Sequence, residues 1–169
     1  SNEENFGDGN REEWHAVEGN PDCEWLGETS SDEMTGHYFA YGIYFDLVAD
    51  KKEKKKIAQV VKTITDHILE NNFHLCDVDG VPTTWANWEP ELLNNDDRWF
   101  YERGTNSLEM LSFLKTTYHV TGEEKYNDLA GIYSANPDGY SEYIEVGSLL
   151  LKLNDSSVDV NTKFEIMQE

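Results

Sequence analysis

The 169 residues carry a formal net charge of −21, and 38% of them are apolar and 12% aromatic. The length suffices for one domain with a packed core, and the aromatic content excludes a disordered chain. The charge opposes nucleic-acid phosphates and anionic membranes, so neither is an expected partner, and no run of 18 apolar residues offers a helical membrane span.

Residues 1–24 hold eight acidic side chains against one arginine and read as an irregular acidic arm, with Trp14 its one anchor to the body. The domain proper is then 25–169. Ser30-x-x-Glu33 fits a capping box that starts a first helix. Met34, Tyr38, Tyr41, Phe45 and Val48 recur at helical spacing, while Phe39, Ile43, Tyr44 and Leu47 cover a second face. A helix apolar on nearly every side is expected to be enclosed by other elements. Lys51, Lys52, Lys54, Lys55 and Lys56 read as a solvated turn. A second helix over about 53–71 follows, with the single stripe Ile57, Val60, Val61, Ile64 and Ile68.

Residues 73–85 predict a β-hairpin turning at Asp79-Gly80. Asp77-x-Asp79-Gly80 lacks the further spaced oxygens of a calcium loop, so no metal and no other cofactor is predicted. Residues 86–104 read as a long aromatic and acidic loop. Asn106-x-x-Glu109 then repeats the cap pattern before a third helix (Leu108, Leu111, Leu114, Tyr118) and a fourth (Tyr126, Leu129, Ala130, Tyr133). A third unit starts at Ser141, with Tyr143, Ile144, Val146, Leu150 and Leu153 on its first helix. The predicted fold is all-α: hairpins 30–72, 106–134 and 141–169, with one small β-hairpin near 74–85.

Trp25-Leu-Gly-Glu-Thr-Ser-Ser-Asp32, Gly36-His37, Phe45-Asp-Leu-Val-Ala-Asp50, Asp77-Val-Asp-Gly-Val-Pro-Thr-Thr-Trp85 and Val120-Thr-Gly-Glu-Glu-Lys-Tyr126 resemble bacterial α/α-toroid proteins of the six-hairpin glycosidase-like group. The resemblance spans roughly residues 25–155. It implies a partial α/α toroid, about half of a six-hairpin ring, with the remainder missing, supplied by another subunit or lost. It also implies a carbohydrate-active or carbohydrate-binding protein, glycoside hydrolase-like or polysaccharide lyase-like if an enzyme, with a saccharide or polysaccharide as ligand.

In such a toroid the inner-helix N-termini gather on one rim. The candidate catalytic residues there are Asp32, Glu33 and His37. Trp85, Trp88, Arg103, Asn106, Glu109 and Tyr140 are the candidate substrate-binding residues, because paired carboxylates beside aromatic platforms suit glycoside chemistry. Each has a structural alternative. Glu33 and Glu109 fit capping boxes, Asp32 suits the helix dipole, His37 suits a core position, and the tryptophans suit loop anchors. The competing functional reading is a non-catalytic helical-repeat subunit that self-assembles, its exposed flanks acting as interfaces.

Cys23 precedes the first helix and Cys76 follows the second. Because the two helices run antiparallel, a Cys23–Cys76 disulfide is expected, with two buried free thiols as the alternative. The bridge, the Asn154-Asp155-Ser156 glycosylation sequon and a chain that opens Ser1-Asn2-Glu3-Glu4 together suggest a processed, secreted protein. An extracellular or periplasmic location is the expectation.

Overall fold

The computed structural model describes residues 14–135. Trp14–Val17 (β1) and Asn20–Leu26 (β2) pair antiparallel around a turn in which Gly19 takes a positive φ. Thus half of the stretch expected to be an irregular arm is a hairpin, although Trp14 itself is exposed and anchors nothing among the described residues. Helix α1 (Ser31–Leu47) begins where the capping box places it: Ser30 accepts the Glu33 N–H, and Glu33 accepts the Ser30 N–H at 2.7 Å. Helix α2 (Lys51–Glu70) starts two residues before its expected position. Asp50 accounts for the shift, since its carboxylate accepts the N–H groups of Lys52 and Glu53 while Glu53 bonds back to the Asp50 N–H.

Strands β3 (His74–Cys76) and β4 (Pro82–Asn87) form the expected second hairpin. The segment read as a loop then folds into α3 (Pro90–Asn95) and a 3₁₀ turn, Asp97–Trp99. Helix α4 (Arg103–Thr121) ends at Gly122, whose left-handed φ of 71° lets its N–H reach the Tyr118 carbonyl. Helix α5 (Glu124–Ala135) folds back along α4.

The expected all-α partial toroid is therefore corrected. The described chain is mixed, with two antiparallel two-stranded sheets beside five helices that include the helical hairpins α1–α2 and α4–α5, and no ring of helices is formed. Polarity in residues 14–26 hid the first hairpin, because β1 buries only alternate side chains, and those only partly, while β2 is exposed up to half-buried Leu26. The third helical unit, Tyr140 and Asn154 lie outside the described residues.

The core lies where α1, α2, α4, α5 and β4 meet. Val61, Ile68, Trp88, Phe113, Leu114 and Tyr126 are fully buried there. Tyr38 stacks on Phe113 with ring centres 4.1 Å apart. Its hydroxyl lies 2.6 Å from Thr65 Oγ1, which lies 2.7 Å from Thr117 Oγ1, so a hydroxyl chain crosses from α1 through α2 to α4. At the far end, Asp66 of α2 accepts from Lys125 and Tyr126, and Lys62 donates to Glu123.

One expectation for α1 fails. Only Met34 and Tyr38 are buried, whereas Phe39 is 72% exposed, Leu47 77% and Val48 66%. Its neighbours α2, α4 and β4 occupy one side, and no described element covers the other.

Candidate functional site

The junction between β2 and α1 is clasped to the second hairpin. Glu28, at a φ of 60°, donates its N–H to Asp77 Oδ2 at 2.9 Å, and its carboxylate accepts the Thr84 N–H. Gly27 is buried beside this clasp, where a Cβ would stand 2.5 Å from Asp77 Oδ2, so only glycine fits without a shift. Asp77 and Asp79 also serve backbone N–H groups of the turn: Asp77 Oδ1 accepts from Val78, and Asp79 from Val81.

The clasp fixes β4 against the first turns of α1 and α4. These two helices run parallel: Tyr38 meets Phe113, Gly42 faces Thr116, and Asp46 bonds His119 at 2.8 Å. Their N-terminal turns therefore share one rim. Four of the sequence-predicted residues gather there. Glu109 is buried and accepts the Trp88 indole N–H at 3.1 Å. Asn106 is buried and donates to the Asn87 carbonyl at 2.9 Å. The hydroxyls of Ser31 and Thr35 face Glu109, and the charge of Asp32 acts on it.

Neither Asn106 nor Glu109 belongs to a cap, because α4 begins three residues before Asn106 with Glu102 as an N-cap that makes no side-chain bond. Both side chains instead secure the end of β4.

The two rim carboxyls differ in ionisation. Burial raises Glu109 above the usual carboxylate range, and Asp32 raises it further, against the opposing bond from Trp88. Asp32 is solvent-exposed and lies below that range, chiefly through the 2.5 Å bond from the Ser30 hydroxyl. Glu33 is occupied as the reciprocal half of the cap.

His37 is exposed, stacks on Tyr41, and faces a different cleft of about 440 Å³ between β2, α1, α2 and the second hairpin. Trp25, Ile64, His67, Leu75 and Cys76 also line that cleft. His67 Nε2 accepts the Cys76 N–H at 3.1 Å, which puts the ring proton on Nδ1. Trp88 is fully buried and offers no stacking platform, whereas Trp85 is 44% exposed. Arg103 sits over the Phe100 ring at 4.6 Å.

The structure does not form the expected Cys23–Cys76 disulfide. Cys23 lies on extended β2, roughly 13 Å along the strand from Gly27 at about 3.3 Å per residue, rather than at the mouth of α1. It is exposed and its sulfur accepts from Asn20, whereas Cys76 is half-buried on β3.

Sequence reasoning missed Ser31 and Thr35 as neighbours of Glu109, and it missed the Glu28–Asp77 clasp. A usable signal exists for Glu109: it falls in helical register with Phe113 and Val120, so a carboxylate sits on the buried stripe. Comparison with protein-family models, curated proteins and solved structures finds no match.

Proposed function

We propose that the chain is directed at saccharides, through the rim built from the first turns of α1 and α4. The observation that carries this reading is the pair Asp32 and Glu109: the Asp32 charge acts on buried Glu109, and the ionisation of the two carboxyls is pushed in opposite directions. Such a pair divides acid and base roles between like side chains, with the raised carboxyl holding a proton to donate and the lowered one staying ionised. Glu109 is the proton donor in this reading and Asp32 the ionised partner. Exposed Trp85 on β4 is the available stacking surface. Glu33 supports the helix end and His37 faces elsewhere, so neither carries chemistry here.

The test is titration of the full chain against a panel of neutral and acidic oligosaccharides by calorimetry and tryptophan fluorescence. Binding is expected, and Asp32→Asn and Glu109→Gln should each weaken it at least tenfold while the protein stays folded. A panel with no binder overturns the reading.

A second reading, a non-catalytic subunit that self-assembles, is supported by the uncovered apolar side of α1. It predicts a concentration-dependent mass by light scattering and indifference to the rim substitutions.

A further inference from the structure

Two helices, a strand and a hairpin converge on the cleft that His37 faces. On α1, Met34, His37 and Tyr41 fall at i, i+3 and i+7, and on α2, Ile64 and His67 fall at i and i+3, so each helix turns one stripe toward it. Trp25 lines it from β2, where its cross-strand partner His15 stacks on the indole at 4.5 Å and holds the ring in place. Leu75 and Val78 line it from the second hairpin. Its volume of about 440 Å³ falls within the roughly 300–1,000 Å³ of small-molecule sites, and its walls are apolar and aromatic with a few polar groups among them. We propose that this cleft binds a flat, uncharged aromatic molecule that carries a hydroxyl group.

Three observations set that chemistry. The first is Thr83 of β4. It lines the cleft at 5% exposure, and its buried hydroxyl has no hydrogen-bond partner among the described residues. Buried hydroxyls are nearly always paired, because an unmade bond leaves the desolvation of the group uncompensated. A threonine hydroxyl both donates and accepts, so a ligand hydroxyl is its direct complement.

The second observation is the ring-rich wall. His37 and Tyr41 stack with ring centres 6.1 Å apart, and Trp25 adds a third ring. An aromatic ligand gains both apolar burial and ring contacts from such a wall. Trp25 and Val78 keep 37% and 69% of their surface in solvent, apolar area that a seated ligand would cover.

The third is charge. Glu28 and Asp77 place carboxylates on the wall, and no lysine or arginine among the described residues lines it, so an anion is repelled. Those carboxylates already accept backbone N–H groups: Asp77 from Glu28 and Val78, and Glu28 from Thr84. The protein itself thus solvates much of their charge, which weakens their pull on a ligand cation. The inference does not depend on the saccharide reading, because neither Asp32 nor Glu109 lines this cleft.

Calorimetry on the full chain with naphthaleneethanol tests the proposal. Naphthaleneacetate, naphthaleneethylamine and ethylnaphthalene keep the rings and change only the polar end. The alcohol is expected to bind one to one, more tightly than the amine and about tenfold more tightly than the acetate. Thr83→Val should weaken the alcohol about fivefold and leave ethylnaphthalene unchanged. The same substitution removes an unpaired buried hydroxyl, so urea unfolding should show equal or greater stability, which separates lost recognition from lost fold. Bound naphthaleneethanol should also slow alkylation of Cys76, which lines the cleft, and leave exposed Cys23 at its own rate. No binding, tightest binding by the acetate or the amine, an alcohol affinity indifferent to Thr83→Val, or Cys76 labelling indifferent to the alcohol each overturns the proposal.

Discussion

The buried hydroxyl chain makes a prediction in which one substitution changes sign with its background. Tyr38 is 2% exposed, and Thr65 and Thr117 are fully buried. Each hydroxyl has one proton, and the protons can end on helix carbonyls: Tyr38 donates to Thr65, the Val61 carbonyl lies 2.9 Å from Thr65 Oγ1, and the Phe113 carbonyl lies 2.7 Å from Thr117 Oγ1. Burial raises the Tyr38 phenol well above its usual range, against the bonds from Thr65 and Thr117.

In the native background Tyr38→Phe removes one bond and leaves both threonines with acceptors, at a cost of about 1 kcal/mol. The double change Thr65→Val and Thr117→Val keeps side-chain shape and branching but strands the Tyr38 hydroxyl in the core. The stranding adds about 1–3 kcal/mol to the bonds lost, for a total near 3 kcal/mol. In that background Tyr38→Phe removes the stranded group and should recover about 1–2 kcal/mol. Urea unfolding followed by circular dichroism measures all four proteins. A Tyr38→Phe change that destabilises by the same amount in both backgrounds would falsify the hydroxyl chain as a unit.

Three further outcomes follow from single sites. Burial raises Glu109, so it favours the fold while protonated and loses that contribution as pH rises through its folded value; Glu109→Gln, which still accepts from Trp88, should therefore be relatively more stable at pH 8 than at pH 5 in paired denaturation curves. Asp66 is pushed up by burial but brought down to about 2 by bonds from Lys125, Tyr126 and Lys62. Its contribution is thus present above about pH 4 and lost as pH falls toward 2, and Asp66→Asn should remove on the order of 1 kcal/mol of acid sensitivity after solvent screening. Ellman titration of the non-reduced protein should count two thiols, Cys23 reacting faster than half-buried Cys76, whereas a count of zero contradicts the unbridged geometry.

The sequence was legible where a local rule acts alone. Ser30 and Glu33 announce the start of α1, the stripe of Ile57, Val61 and Ile68 announces the inner side of α2, and Asp79-Gly80 announces the second hairpin. It misled where a side chain serves a distant partner. Asn106 and Glu109 imitate a cap but bond the end of β4, which no spacing rule reveals. Repetition of the helical hairpins suggested a ring, yet periodicity says nothing about closure, and the strands at 14–26 carry too few apolar residues to declare themselves. Helix α1 shows the same limit, because apolar residues on every side predict enclosure without naming what encloses them.

The central claim is that Asp32 and Glu109 form an unequal carboxyl pair poised on a saccharide site. Carbon-detected NMR titration of the two side-chain carboxyls, with and without an oligosaccharide that binds the full chain, tests it most directly. The account predicts that Glu109 titrates above the usual carboxylate range and Asp32 below it, and that the sugar moves both. Two ordinary, uncoupled titrations that the sugar leaves in place would contradict it.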